Sequence, residues 1–311
     1  MVDTAVLAVG GNALAPEGGL GEAGQRERAA EVAKQIVAIA SEGRGVLVVH
    51  GNGPQVGALA IAQEAVAPEL PLQPLYSLGA MTQGQLGYLL AEAIDDVQHA
   101  AGAHQPVSAI MTRVVVDPTD PAFEDPTKPI GPFFPEGRAK RLAHARGWNV
   151  AEDSGRGWRR VVASPDPKEV LEAEQILAAL ESGAIVIACG GGGVPVARSD
   201  GSLGGVEAVI DKDLSAALVG RLVGAKTLML LTGVDAVMLD FGTDKERPVS
   251  EMTVAEARRH LSDGQFPPGS MGPKIAAAAD FVERGGRDAL ITSLELGMEA
   301  LKGAAGTRIV A

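Results

Sequence analysis

The stretch Thr4-Ala-Val-Leu-Ala-Val-Gly-Gly-Asn12 points to the fold class, because it places an apolar run directly before a pair of glycines. A short run that is apolar at nearly every position is typical of a strand covered on both faces, as in a parallel sheet. Similar runs, most of them also followed by glycine, recur at residues 45–50, 184–189, 227–232 and 288–292. The sequence therefore predicts a sheet of several parallel strands.

Helical stretches lie between these runs. Residues 22–42 carry apolar side chains at three- and four-residue steps, at Ala29, Val32, Ala33, Ile36 and Ala40. That spacing predicts an amphipathic helix. A second helix is predicted to begin at Pro54, because proline suits the first helical position, and a third to span residues 79–101. The alternation predicts a doubly wound α/β fold, with an open, mainly parallel sheet sandwiched by helices.

Prolines crowd the middle of the chain, at Pro118, Pro121, Pro126, Pro129, Pro132 and Pro135. They are too many for the interior of a helix or sheet, so this stretch is expected to leave the core. With a predicted helix over residues 136–145, it is interpreted as a small protruding, lid-like subdomain over residues 118–160. That subdomain would be inserted in a single domain of residues 1–311. An ordered loop is the alternative reading of the same composition.

The composition favours a folded protein without a nucleic-acid surface. The 27 basic and 39 acidic residues give a net charge of −12, and the 46% hydrophobic and 21% charged residues are close to the globular average. An anionic ligand must then be met by local cations and backbone N–H groups. The single cysteine, Cys189, excludes an internal disulfide, and the histidines lack metal-ligand spacing, so no protein metal site is predicted. With neither a signal-like nor a membrane-spanning run, the chain is expected to be cytoplasmic.

Glycine-rich loops follow the predicted strands. They are Gly10-Gly11-Asn12, Gly51-Asn52-Gly53, Gly190 to Gly193, and Thr232-Gly233-Val234-Asp235. In an open parallel sheet, ligands bind at the carboxyl ends of the strands, where glycine lets backbone N–H groups approach a phosphate. Several such loops at one sheet edge indicate an extended anionic ligand. Glycine can also serve the backbone angles of a turn alone.

Two other nucleotide motifs fail on inspection. The stretch Gly51-Asn-Gly-Pro-Gln-Val-Gly57 is one residue too long for GxGxxG, and no acidic residue follows at the right distance for a ribose. The stretch Gly220-Arg-Leu-Val-Gly-Ala-Lys226 mimics a P-loop with one residue inserted between the second glycine and the lysine. It also runs from a helix into a strand, the reverse of the required order. Lys226 is therefore interpreted as a solvated charge at a helix end.

Three lysines have unusual settings. Lys212 lies between two aspartates, Asp211 and Asp213, at a predicted helix start, where the helix dipole opposes a positive charge. Lys274 follows Pro273 at another predicted helix start. Lys128 lies among the prolines of the protruding stretch. A surface lysine is often only a solvated charge, but a shared polyanion explains lysines at two helix N-termini better.

At this point the motifs resemble those of carbamate kinases, within the amino acid kinase group, in family order and over nearly the whole chain. The matching segments, by residue number, are 8–14, 49–56, 80–84, 114–118, 126–133, 153–159, 189–193, 206–213, 231–235 and 269–274. Amino acid kinases of other branches usually carry a lysine two residues before the first Gly-Gly pair. Here that position is Ala8, which agrees with the carbamate kinase branch.

The resemblance implies an enzyme that transfers the γ-phosphoryl group of ATP to carbamate, giving ADP and carbamoyl phosphate. It also implies Mg²⁺ with ATP or ADP, a homodimer, and ATP synthesis during arginine catabolism. By the same resemblance Lys128, Lys212 and Lys274 face the phosphates, and Asp211 and Asp213 orient them. Substrate contacts fall to Gly10, Gly11, Asn12, Gly51, Asn52 and Gly53. Nucleotide contacts fall to Gly190, Gly191, Thr232, Gly233, Val234, Asp235 and Met271.

The chemistry suits these residues. Phosphoryl transfer needs positioning and cations more than covalent chemistry, and carbamate is already an anionic nucleophile that requires no general base. His50, at a strand end, is therefore interpreted as structural or as a contact behind the site. A catalytically silent nucleotide sensor on the same fold and an NAD-dependent oxidoreductase are the alternatives.

Overall fold

The computed structural model describes residues 3–15, 21–67, 69–153, 155–199, 201–266 and 271–311. In chain order its strands are β1 (Thr4–Val9), β2 (Gly45–His50), β3 (Val107–Ala109), β4 (Arg113–Val116), β5 (Lys128–Phe134), β6 (Asn149–Glu152), β7 (Trp158–Val162), β8 (Pro167–Val170), β9 (Ile185–Ile187), β10 (Val194–Ser199), β11 (Ser202–Gly205), β12 (Thr227–Thr232), β13 (Val237–Leu239), β14 (Arg247–Val249), β15 (Glu251–Thr253), β16 (Asp288–Ser293) and β17 (Thr307–Val310). Its α-helices are α1 (Glu22–Ser41), α2 (Gly53–Ala65), α3 (Leu75–Ala101), α4 (Glu136–Arg146), α5 (Ala173–Glu181), α6 (Lys212–Leu222), α7 (Val254–Ser262), α8 (Met271–Glu283) and α9 (Gly297–Leu301).

Eight of the described strands form the central sheet, in the order β15-β17-β16-β12-β1-β2-β9-β3. Strand β1 lies inside it and pairs in parallel with β2 and β12, so that Val6 is opposite Leu47 on one side and Leu228 on the other. Near one edge, β17 runs antiparallel to β16. The expectation of an open, mainly parallel sheet is confirmed.

Both faces of the sheet are covered, which explains the apolar runs. Along β1, Val6 and Ala8 pack into a core with α6 and α8, whereas Leu7 and Val9 pack into a core with α1 and α3. Each of these four side chains is fully buried. Because successive strand residues point to opposite faces, a strand between two helix layers must be apolar at consecutive positions.

Three of the described strands, β5, β7 and β6, form a separate antiparallel sheet, over which α4 packs through a small core of Phe134, Ala139 and Trp148. This layer rests on α2. The two are in tight contact at Gly57, where a Cβ atom would overlap the backbone of Gly131. We describe β5, β6, β7 and α4 together as the small sheet layer. The limits 118–160 for a subdomain stay a prediction.

The proline-rich stretch is not all loop. Strand β5 contains Pro129 and Pro132. It is an edge strand that pairs with β7 alone among the described strands, and its register is interrupted between Ile130 and Phe134. Proline is tolerated there because an edge strand leaves some of its N–H groups without a ladder partner.

Two elements have a predicted boundary that differs from the structure by more than one residue. Helix α3 begins at Leu75 rather than at residue 79, because the Leu75 backbone N–H donates to Glu207 Oε1 at 2.9 Å, a cap supplied from far along the chain. Strand β9 spans Ile185–Ile187 rather than 184–189, because Cys189 turns into the left-handed region at φ 50°. No helix within the described ranges is both long and apolar enough to cross a membrane.

Candidate active site

A cleft of about 940 Å³ opens at the carboxyl ends of β1, β2 and β12. The loops that follow parallel strands meet there because those strands end at the same edge of the sheet. Its lining includes most of the predicted site residues: Gly10, Gly11, Asn12, Gly51, Asn52, Gly53, Lys128, Gly191, Asp211, Lys212, Asp213, Thr232, Gly233, Asp235 and Lys274. Residues from distant parts of the sequence therefore share one cavity.

The N-terminus of α6 carries three consecutive site residues. Asp211 is the N-cap, and its Oδ1 accepts a hydrogen bond from the Asp213 backbone N–H at 2.8 Å. Aspartate suits this position because it satisfies a free helix N–H and places negative charge at the positive end of the dipole. Lys212 is opposed by the same dipole, so it requires a nearby carboxylate.

Two carboxylates hold the three lysine ammonium groups. Lys128 Nζ donates to Asp211 Oδ2 at 2.5 Å, and Lys274 Nζ donates to Asp213 Oδ2 at 2.7 Å. Lys212 Nζ forms an ion pair with Asp213 Oδ1 at 3.0 Å. Three cations on two anions leave this group of five with net positive charge, although the whole chain carries −12. The group is suited to a polyanion.

Burial and charge act against each other on these five groups. Burial raises the pKa of Asp211 and Asp213, but the adjacent lysines outweigh it and hold both below the ordinary value. Burial lowers the pKa of Lys212, but Asp213 and Asp211 more than restore it. At Lys274 burial prevails over Asp213, and the pKa lies below the ordinary value. Of the two lysines on Asp213, Lys274 therefore loses its proton first as pH rises.

Glycine is required where the first two loops meet. A Cβ atom at Gly51 would lie 2.6 Å from Gly11 N and 3.1 Å from both Gly11 Cα and Lys212 Cδ. Such contacts are too short to be accommodated by backbone atoms. The two loops can therefore approach each other and Lys212 only without a side chain at Gly51, so the glycines here serve packing as well as ligand access.

Among the described residues, three predicted nucleotide contacts do not line the cleft. Gly190 lies behind it, beside His50 and Gln83, in a small separate cavity. Val234 is exposed, and Met271 packs against the core at the start of α8. The adjoining Gly269 and Ser270 of the matched motif lie outside the described residues.

His50 does not line the cleft in the part of the chain that the structure describes. It is buried, and its Nδ1 lies 3.2 Å from Gly51 O. Burial lowers its pKa to about 4, so the ring is neutral at physiological pH. These observations fit a structural contact behind the site better than a general base.

Arg159 is a further cleft residue, to which neither the local motifs nor the family resemblance assigns a role. Its side chain is buried, its Nε donates to Gly131 O at 2.9 Å, and its Nη1 donates to Asp153 Oδ2 at 3.0 Å. Burial lowers its pKa, partly offset by Asp153. It brings a guanidinium from the small sheet layer to the cleft, beside Gly53. Its place in the matched segment 153–159 was the available signal.

The described ranges contain no cluster of three histidine, cysteine or acidic side chains that could bind a metal ion by themselves. The two central carboxylates, Asp211 and Asp213, are engaged by lysines. A Mg²⁺ ion in such a cleft would be held by substrate phosphates and water with few protein ligands, because this ion is rarely enclosed by protein side chains alone.

Comparisons with known proteins agree with one another. The model of the amino acid kinase family matches residues 3–293. A carbamate kinase of Pyrococcus furiosus is 47% identical over 308 residues, which covers 98% of each chain. The structure of a Giardia lamblia carbamate kinase bound to citric acid has a TM-score of 0.94 and 39% identity, and covers 99% of this chain and 98% of its own. The same enzyme bound to AMP-PNP has a TM-score of 0.89.

Proposed function

The chain belongs to the amino acid kinase family and, within it, to the carbamate kinases; from this premise we propose that it exchanges a phosphoryl group between ATP and carbamate. The products in that direction are ADP and carbamoyl phosphate. The observation that carries the proposal is the group of Lys128, Lys212 and Lys274 on two aspartates, at the glycine loops of one cleft.

The cations act on the charge of the transferring group. In the loose transition state, negative charge is spread over the equatorial oxygens of the phosphoryl group. Lys212 and Lys274 come from two helices of the main body, and Lys128 comes from the small sheet layer. Ammonium groups held by carboxylates are preorganised, so they need no reorientation as the reaction proceeds. Asp211 and Asp213 position the lysines.

Carbamate supplies its own nucleophilic oxygen. We assign its binding to Gly10, Gly11 and Asn12 after β1 and to Gly51, Asn52 and Gly53 after β2. Backbone N–H groups of such loops suit the carboxylate of carbamate and the phosphoryl oxygens alike. No side chain has to remove a proton, which agrees with the neutral, buried state of His50.

The nucleotide is assigned to the other end of the cleft. Thr232, Gly233 and Asp235 border the cavity after β12 and are our principal candidates for contact with ATP or ADP. Val234, Met271 and Gly190 do not border the cavity, and their contact with the nucleotide stays a prediction. Mg²⁺ enters as part of the Mg²⁺–nucleotide substrate.

We propose that ATP synthesis is the physiological direction. Carbamoyl phosphate is a mixed anhydride, a class of compound whose phosphoryl group passes readily to ADP. This direction would serve arginine catabolism, in the cytoplasm. We also propose a homodimer, for which the exposed apolar side chains Met81 and Tyr88 of α3 and nearby Met111 offer a surface. Light scattering at several protein concentrations tests the dimer.

Formation of ATP from carbamoyl phosphate and ADP tests substrate and reaction together. The purified protein, Mg²⁺, carbamoyl phosphate and ADP are coupled to hexokinase and glucose-6-phosphate dehydrogenase, and NADPH is followed. Omission of carbamoyl phosphate and the Lys274→Ala variant serve as controls. ATP formation that depends on carbamoyl phosphate and on Lys274 supports the proposal. Binding of ADP without turnover would instead indicate a nucleotide sensor.

A further inference from the structure

Asn52 and Thr82 form a hydrogen-bond relay at the side of the cleft. Asn52 precedes α2 and lines the cleft, and its Nδ2 donates to Thr82 Oγ1 at 2.8 Å. Thr82 Oγ1 in turn donates to Gly79 O at 2.8 Å, one turn back in α3. Both side chains are buried, at 3% exposure for Asn52 and 0% for Thr82. The relay therefore operates away from bulk water.

The relay fixes which end of the Asn52 carboxamide faces Thr82. A hydroxyl has one proton, and that of Thr82 is directed at the Gly79 carbonyl, which can only accept. Thr82 Oγ1 can then only accept from Asn52, so the Asn52 group opposite it must be the NH₂. A rotated carboxamide would place oxygen against oxygen with no proton between them. Among the described residues no donor is bonded to Asn52 Oδ1, so this oxygen is the carboxamide's unused acceptor, on a residue that lines the cleft.

The surroundings hold the relay in place. Gln83, the neighbour of Thr82, donates from Nε2 to Thr112 O at 3.0 Å and accepts from the Thr112 N–H at 2.8 Å. This pair of bonds fixes α3 against the segment before β4. On the other side a Cβ atom at Gly191, whose φ is +66°, would overlap the Asn52 carboxamide. Asn52 is therefore confined between α3 and the Gly190–Gly192 turn.

We propose that Thr82 is a positioning residue for substrate choice: it holds Asn52 with Oδ1 available to accept an N–H of the substrate, and so selects an acyl phosphate that bears an amino group. This inference rests on the proposed function and deepens it. Carbamate and carbamoyl phosphate carry an NH₂ group, whereas acetate and acetyl phosphate carry a methyl group of similar size at the same place. A methyl group donates no hydrogen bond to Oδ1 and leaves it unpaired in a desolvated site.

The test compares carbamoyl phosphate with acetyl phosphate as the phosphoryl donor to ADP. The ratio of the two kcat/KM values is measured for the wild type, for Thr82→Val, which keeps the side-chain shape without the hydroxyl, and for Thr82→Ser, which keeps the hydroxyl. Where acetyl phosphate turns over too slowly, its inhibition constant against carbamoyl phosphate replaces its kcat/KM. Thermal melting checks folding, and Thr82→Ala replaces Thr82→Val if the latter does not fold.

We expect the preference for carbamoyl phosphate to fall about tenfold in Thr82→Val and to be retained in Thr82→Ser. A factor of ten corresponds to about 1.4 kcal/mol, the net contribution of one hydrogen bond. An equal loss of activity toward both donors in Thr82→Val would overturn the inference, as would a loss of preference in Thr82→Ser or a wild type that treats the two donors alike. A wild type without turnover of carbamoyl phosphate would refute the proposed function itself.

Discussion

Replacing Asp213 by asparagine removes one negative charge and almost no volume. The side chain is 3% exposed and faces Lys274 Nζ at 2.7 Å and Lys212 Nζ at 3.0 Å. Asparagine can still accept a hydrogen bond, but it cannot compensate two buried ammonium charges. We therefore expect Asp213→Asn to lower both the stability of the free protein and its activity.

The magnitude follows from the burial of the partners. The Lys212 and Lys274 side chains are 12% and 14% exposed, so the charges that remain are largely desolvated. Removing one partner of a buried ion pair costs about 3–5 kcal/mol. Asp211 still supports Lys212, which places the expected loss near the lower value, about 3 kcal/mol. In urea this is a fall of roughly 1 M in the unfolding midpoint.

Urea unfolding followed by circular dichroism measures the first effect, and the coupled ATP assay measures the second. We expect the rate to fall about 10²–10³-fold, as for removal of one preorganised group at such a site. The matched control is Glu283→Gln, the same chemical change in an exposed ion pair with Arg258, which we expect to leave midpoint and rate unchanged. An Asp213→Asn protein with the midpoint and rate of the wild type would refute the reasoning.

The same variant has a defined pH dependence. Burial raises the pKa of Asp213 and the lysines lower it further than burial raises it, so the folded-state value is below the ordinary 3.8. A carboxylate with a depressed pKa contributes stability that is complete above its unfolded-state value and is lost as pH falls toward its folded-state value. The gap in stability between wild type and Asp213→Asn should therefore be constant near neutral pH and narrow below about pH 4.

Three further predictions concern the lysines of the site and the contact between α2 and the small sheet layer. Changing Lys128, Lys212 or Lys274 singly to alanine should lower the rate about 10²–10³-fold, with the fold retained by circular dichroism. The control Lys226→Ala should leave the rate unchanged. Near-normal turnover in all three site variants would reject their roles. Lys274 must be charged to act, and burial lowers its pKa, so kcat/KM should decline toward alkaline pH at a value below the ordinary lysine pKa of 10.5. In Lys274→Arg the decline should move to higher pH. A profile that does not move would show that another group causes the decline. Gly57→Ala should force α2 and β5 apart and cost about 1–3 kcal/mol, visible as faster proteolytic cleavage in the small sheet layer; an unchanged cleavage pattern would show that the contact yields without cost.

Part of the site is predictable from local sequence alone. Asp211 and Asp213 around Lys212 were readable as a helix start because capping is local chemistry, and the structure places the N-cap at Asp211. Arg159 was not identified as a cleft residue, because its position depends on Asp153 and on the packing of the small sheet layer. The relay from Asn52 to Thr82 joins residues thirty positions apart and has no local signature.

Periodicity by itself determined the fold class. Consecutive apolar residues in Thr4–Val9 specify a strand covered on both faces. Apolar residues at three- and four-residue steps specify the amphipathic helix that follows. Each pattern depends only on the geometry of its own element. The family motifs, in addition, predicted the reaction. The glycines could be located from the sequence, but whether each one serves a ligand or a close contact could not.

Tertiary structure decided what depends on contacts between distant elements. The start of α3 is set by Glu207, the strand character of β5 by its place at a sheet edge, and the protonation of Lys274 by burial opposed to Asp213. In each case folding buries a charge or leaves an N–H group unpaired, at a cost in free energy, and a partner brought near by folding offsets that cost. That balance cannot be read from neighbours along the chain, since the partner's distance and burial exist only after the helices and sheets have packed.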